Sequence, residues 1–231
     1  MLVIPGLARS SGLVHGFSTT VLGSMRAERP GVAETGPRSA FAAELGLERE
    51  RMCVLGAVHG SAVGRVDEPS GVVAGCDALI TDQPRLPLLA TYADCYPVLL
   101  LDPRRPALAL VHAGWRGSAA GVVGEALSSL HREYGTEVAD LLAGIGPGIC
   151  GDCYEVGEEV AASFPAETVR PSRAGRFLLD LRSALRGQLL AAGVEPARIH
   201  ELELCTAETP ELPSHRRSPD GARFACLAAL T

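Results

Sequence analysis

No lysine occurs in this 231-residue chain; all 21 of its basic residues are arginine. A lysine nucleophile or Schiff-base lysine is therefore excluded from its chemistry. Long apolar runs are also missing, and none approaches the ~20 residues needed to span a bilayer, so no membrane partner is expected. The opening Met1-Leu2-Val3-Ile4-Pro5-Gly6 has no basic leader and no apolar stretch of signal-peptide length. The net charge is -6 and the arginines form no stripe, which excludes the electrostatic footprint of a nucleic-acid binder. Seven cysteines are an odd number for a secreted disulfide framework and fit a reduced, cytoplasmic setting. There is no internal repeat, low-complexity tract or convincing linker. The 26–37 segment (RAERPGVAETGP) is the most loop-like, but it lies too near the N-terminus to divide two domains. With 47% apolar and 21% charged residues, the expectation is one globular domain over 1–231, acting as a monomer.

Against these absences stand His59, Cys95 and His112, each in a short motif that joins strand-like residues to glycine or a turn: AVHG, YADCYPVLLLD and ALALVHAGWRG. Two imidazoles and a thiol suffice to hold zinc with one coordination position open, as in catalytic rather than structural zinc sites. Residues 97–102 (PVLLLD) and 107–111 (ALALV) are short apolar runs separated by Pro103-Arg104-Arg105-Pro106, which predicts a β-hairpin. Folding about that turn pairs numbers that sum to about 207 or 208. Cys95 then falls opposite His112, at the ~5 Å Cα spacing of antiparallel partners. His59 has to arrive from elsewhere, after the strand-like 52–58 run. Each of the three taken singly reads as well as a packed thiol or a hydrogen-bonded loop histidine. The hairpin pairing of two of them is what favours a site.

Spacing predicts helices over 39–45, 118–134, 156–164 and 178–192, and strands over 141–144, 201–205 and 224–230. Helices interleaved with strands that include a hairpin predict an α+β fold with mixed sheets. Gly146-Pro147-Gly148-Ile149-Cys150-Gly151 matches the dinucleotide fingerprint G-x-G-x-x-G, with Glu167 downstream. The following helix is expected only near Tyr154 or Val156, too late to receive a pyrophosphate, so the motif reads as a turn in a pocket wall. Cys150-x-x-Cys153 would need a second ligand pair at comparable spacing to hold structural zinc, and none is present in the sequence, so both are read as packing cysteines. His215-Arg216-Arg217 is a small cationic cluster that, with Arg116, could line an anion site.

Taken in order, AVHG, DALITD, ADCYPVLLLD, VHAGWRG, GIGPGICGDCYEVG, DLRSALRGQLLAAGV, LELCT and SHRR resemble the laccase-domain (YfiH-like) family, also called peptidoglycan editing factors. The resemblance runs from about Ala57 to the C-terminus. It implies a layered sandwich of mixed sheets flanked by helices, of the four-layer α/β/β/α type. It also implies zinc-dependent phosphorolysis of adenosine, inosine or methylthioadenosine to base and ribose 1-phosphate, with deamination of adenosine to inosine. Carried over by motif, the zinc ligands are His59, Cys95 and His112, with copper as the alternative ion; purine nucleosides and phosphate are the implied partners. Arg38 and Arg116 are the candidate phosphate contacts and Asp94 the candidate proton carrier. Departures gather at the N-terminus: Gly16-Phe17-Ser18-Thr19-Thr20 lacks the family's arginine and the glycine pair after it, and Ala57 replaces a glutamine. Six histidines cannot supply the ligands of a multicopper oxidase, so the family's name is not a guide to its chemistry. The alternatives are a metal-free hydrolase or amidase built on Cys95 and His112, and a peptidoglycan-editing protein whose nucleoside turnover is incidental.

Overall fold

A computed structural model describes residues 1–26 and 36–231; most of the loop-like 26–37 segment lies outside them. In chain order the strands are β1 (Leu13–Phe17), β2 (Cys53–Gly56), β3 (Val63–Arg65), β4 (Gly71–Ala74), β5 (Ala78–Thr81), β6 (Leu88–Tyr92) and β7 (Tyr96–Asp102). There follow β8 (Ala107–Ala113), β9 (Leu142–Ile145), β10 (Glu155–Gly157), β11 (Val169–Pro171), β12 (Arg176–Leu179), β13 (Ile199–Glu201) and β14 (Phe224–Leu230). The helices are α1 (Pro37–Glu44), α2 (Trp115–Ala119), α3 (Val122–Tyr134), α4 (Glu158–Ala161) and α5 (Leu181–Ala191).

Unbroken apolar runs belong to strands covered on both faces, and β7, β8 and β14 are buried at every position. A five-stranded mixed sheet runs β1-β14-β6-β2-β4, a six-stranded mixed sheet runs β13-β9-β7-β8-β5-β3, and a small antiparallel sheet runs β10-β12-β11. The two-residue period of each strand divides the core. Leu99, Leu101, Leu108 and Leu110 face Leu88, Ala90, Tyr92, Cys226 and Ala228 across the gap between the large sheets. On the other side of the six-stranded sheet, Val98, Leu100, Ala109 and Val111 meet Val123, Ala126 and Leu130 of α3 and Leu185 and Leu189 of α5. Leu89, Leu227 and Ala229 turn outward from the five-stranded sheet, onto Phe41 and Ala42 of α1.

Several expected elements change. The 118–134 helix is two, because Gly121 sits in the left-handed region at φ 80° between α2 and α3. The 156–164 helix shrinks to α4, since Val156 pairs with Phe177 in the small sheet. The 178–192 helix loses its first residues to β12 and begins after Asp180, whose carboxylate caps it by accepting from the Ser183 amide at 3.0 Å. The 201–205 strand moves back to β13, and 39–45, 141–144 and 224–230 are matched by α1, β9 and β14 within a few residues. No helix follows the Gly146–Gly151 turn until Glu158, which removes the dinucleotide fingerprint's mechanism. The hairpin forms with Asp102 facing Ala107, so paired numbers sum to 209 and His112 faces Pro97, not Cys95. Asp102 Oδ1 accepts from the amides of Arg104 and Arg105 at 2.8 and 3.0 Å, which sets the four-residue turn. A two-place shift preserves the face of every side chain, so Cys95 remains diagonal to His112 on its side of the strand pair.

Candidate metal site

The three candidate ligands come from three local devices. His112 is fixed by β8. Cys95 ends the crossing from β6 in the five-stranded sheet to β7 in the six-stranded one. His59 stands on the turn after β2 with φ 63°, and Asp94, beside Cys95, has φ 84°. Two non-glycine residues in the left-handed region within one small volume are strain held by surrounding structure, which is common at functional sites. One ligand atom from each of His59, Cys95 and His112 can be chosen so that all lie within 4.8 Å of one another. The two imidazole rings meet edge to face, 4.9 Å between centroids at 83°.

The residue that organises the trio is Asp77, at the start of the DALITD run, whose functional role sequence reasoning did not recognise. Its side chain is fully buried. Oδ1 accepts from the His59 amide at 2.9 Å and lies 3.0 Å from His112 Nδ1, while Oδ2 accepts from the Val58 and Gly60 amides at 3.1 and 2.7 Å. One carboxylate thus holds the His59 turn in its strained shape and turns His112 so that Nε2 is the nitrogen left for an ion. Carboxylate–histidine–metal relays of this kind fix tautomer and ring orientation. The available sequence signal was a charge standing directly before a short, uncharged, strand-like run, Ala78 to Thr81, since a charge drawn into a buried strand needs partners.

Electrostatics agree with a shared cation. Burial alone would push the Cys95 thiol up, but hydrogen bonds with His112 and His59 outweigh it and bring the thiol down to about 6. Burial would likewise depress His112; Asp77 and Cys95 reverse that and raise it to about 9. Asp77 is lowered despite its burial, by His112 and by the Gly60 and Val58 amides. The trio also sits in a cradle that a side chain would fill. A Cβ on Gly114 would come 2.9 Å from Cys95 Sγ, 3.2 Å from His59 Cδ2 and 3.8 Å from His112 Cε1. A soft thiolate with two imidazoles, one of them oriented from behind, fits zinc or copper better than a hard cation.

Asp94, Cys95, Gly114, Trp115, Ile149, Tyr154 and Leu181 line a small pocket of about 40 Å³ beside the trio. Asp94 is firmly held. Its Oδ1 accepts from Thr206 Oγ at 2.7 Å, Oδ2 from the Arg216 amide at 2.7 Å, and its carbonyl from the Ile149 amide at 3.0 Å. The carboxylate therefore ties LELCT to SHRR at the pocket wall. Arg116 stacks over Trp115 at 4.4 Å, and Arg216 lies 5.3 Å from the Tyr154 ring centroid. Both guanidiniums act electrostatically on the Tyr154 hydroxyl, which burial nonetheless pushes up to about 12. Arg217 turns away, onto the carbonyls of Thr206, Thr209 and Leu212. Arg38 is not brought to the trio: it donates to the Met25 carbonyl at 2.9 and 3.1 Å and lines a separate pocket with Arg49, Glu50, Met52, Val54 and Gly71.

Fold and site together define a layered α+β protein with a His-Cys-His group, able to hold a metal ion, where its two large sheets meet. Residues 9–231 match the family described as multi-copper polyphenol oxidoreductase laccase, and the chain belongs to that family. It is 38% identical over 216 residues to a purine nucleoside phosphorylase of Mycobacterium tuberculosis, covering 91% of this chain and 84% of that one. It is 36% identical over 148 residues to adenosine deaminase RL5 of an unknown prokaryote, covering 61% and 56% of the two chains. The crystal structure of YlmD from Geobacillus stearothermophilus superposes with a TM-score of 0.86 at 29% identity, over 98% of this chain and 93% of that one.

Proposed function

We propose that this chain is a zinc-dependent purine nucleoside phosphorylase, releasing the base and ribose 1-phosphate from adenosine, inosine or methylthioadenosine, and that the same site deaminates adenosine. The observation that carries the reading is the convergence of His59, Cys95 and His112, whose ligand atoms lie within 4.8 Å of one another, with Asp77 holding the two histidines; the names of two relatives support the substrate class. We also read the chain as one domain with a four-layer α/β/β/α order, on the strength of its three successive apolar layers. Bound by the trio, zinc would supply Lewis acidity at an open coordination position. The remaining work falls to the chain itself. Asp77 holds two ligands in place. Asp94 fastens the wall that carries Arg216, and its two engaged oxygens suit positioning better than free proton transfer. Arg116, with Arg216 across Tyr154, offers guanidiniums that can grip phosphate in two places; Arg38, in its own pocket, is not needed for that contact.

Incubation of the zinc-loaded protein with adenosine, with and without phosphate, tests this directly. Adenine and ribose 1-phosphate should form only with phosphate, and inosine in either case. If chromatography shows none of these products, the nucleoside reading fails. One observation favours a second reading: Cys95, its thiol brought down by His112, and His112, raised by Asp77 behind it, are the parts of a cysteine hydrolase. A zinc ion lost on Cys95→Ala substitution excludes that hydrolase.

A further inference from the structure

Away from the trio, the turn that resembled a dinucleotide fingerprint has another use. Cys150 lies within it and Cys153 just after it, with the Cys153 amide donating to the Cys150 carbonyl at 3.1 Å. The turn lies against the LELCT segment. Gly148 pairs with Cys205, and the Thr206 amide donates to the Gly148 carbonyl at 3.0 Å. The second segment makes a matching turn: the amides of Glu208 and Thr209 donate to the Cys205 carbonyl at 3.2 and 2.9 Å. The second ligand pair that structural zinc requires is therefore present in space as Cys205-x-x-Glu208, a carboxylate standing where a fourth thiol would.

We propose that Cys150, Cys153, Cys205 and Glu208 form a second metal site, a structural zinc position of three thiolates and one carboxylate that clamps two turns behind Asp94. One ligand atom from each residue lies within 4.8 Å of all the others, and Cys153 Sγ is 3.5 Å from Glu208 Oε1. Tetrahedral zinc with Zn–S of about 2.3 Å needs ligand atoms about 3.8 Å apart, so the group closes by small side-chain rotations. The Cys150 amide already donates to Cys205 Sγ at 3.3 Å, the kind of support that orients a metal thiolate. Thiolate-rich tetrahedral sets select zinc over magnesium or calcium. All four ligands come from turns rather than from regular elements, as is usual where metal replaces packing.

The clamp would bear on the catalytic wall without touching the reaction. Thr206 follows Cys205 and donates to Asp94; Ile149 precedes Cys150 and its amide donates to the Asp94 carbonyl. An ion there fixes both contacts at once. The inference does not depend on nucleoside chemistry, and it fails separately from it.

Metal analysis of purified protein loaded with zinc and desalted tests the site. Two zinc ions per chain are expected in the unmodified protein, one in Cys95→Ala, and one in the Cys150→Ser, Cys153→Ser double variant. A single ion that Cys95→Ala abolishes overturns the proposal, and so does a disulfide among these cysteines, seen as a 2 Da deficit in intact mass. Should the double variant not fold, cobalt substitution of Cys95→Ala decides. All three thiolates of the proposed site remain there, so sulfur-to-cobalt charge-transfer absorption should persist; its complete loss overturns the site.

Discussion

At the scale of single residues, the geometry of the trio depends on a side chain outside it, Asp77. Asp77→Asn keeps the shape of the carboxylate but turns one acceptor into a donor, so it cannot satisfy three amides and the His112 ring together. Metal affinity at the trio should fall on the order of 10- to 100-fold, measured by competition with a chromogenic chelator; unchanged affinity would show that His112 is oriented by something else. Gly114→Ala puts a methyl 2.9 Å from Cys95 Sγ, inside van der Waals contact. Metal occupancy of the trio should drop with little change in the circular dichroism spectrum, and full occupancy would mean that the cradle has slack. That His59, Cys95 and His112 belong together was readable from their motifs. Asp77 was not recognised, because its partners are the backbone of residues 58–60 and a histidine on another strand, and no local pattern links them.

At the scale of elements, local interactions were legible and long-range ones were not. The β7–β8 hairpin is one turn between apolar runs, and its existence followed from composition; its register missed by two because the Asp102 side chain, not the prolines, sets the turn. Val156 and Leu178 were placed in helices because a short apolar segment fits either period, whereas their pairing into β10 and β12 depends on each other. Strand β1 carries a testable charge effect. His15 is buried, accepts the Ile4 amide at 3.0 Å through Nε2, and burial lowers it from 6.5 to about 4. The unfolded chain therefore binds a proton in that window which the folded one refuses. This contribution to stability is present above pH 6.5 and lost as pH falls toward 4, by at most about 1.4 kcal/mol per pH unit. His15→Leu should be less stable at pH 7 yet lose less on acidification. Urea unfolding with chelator present checks it, and equal losses in both proteins would refute the assignment.

At the scale of the whole molecule, the long strands β7, β8 and β14, buried at all seven positions, mark where unfolding must be global. Amides of β7, β8 and β14 should be the last to exchange with solvent, well after those of edge strands β4 and β13. Hydrogen-exchange mass spectrometry reads this peptide by peptide; earlier exchange in β8 than in β4 would contradict the layering. The sequence by itself determined the mixed α+β class, the central hairpin, the unsuitability of G-x-G-x-x-G and the residue types of the trio, because each rests on neighbours in the chain or on composition. Only the tertiary structure decided that His59 reaches the hairpin, that Asp77 stands behind it, that Arg216 rather than Arg38 faces Tyr154, and that Cys205 and Glu208 meet Cys150 and Cys153. All four depend on two sheets and their crossing turns being brought together. That meeting is driven by burying leucine and alanine faces, a non-directional force that leaves no mark on the spacing of the residues it assembles.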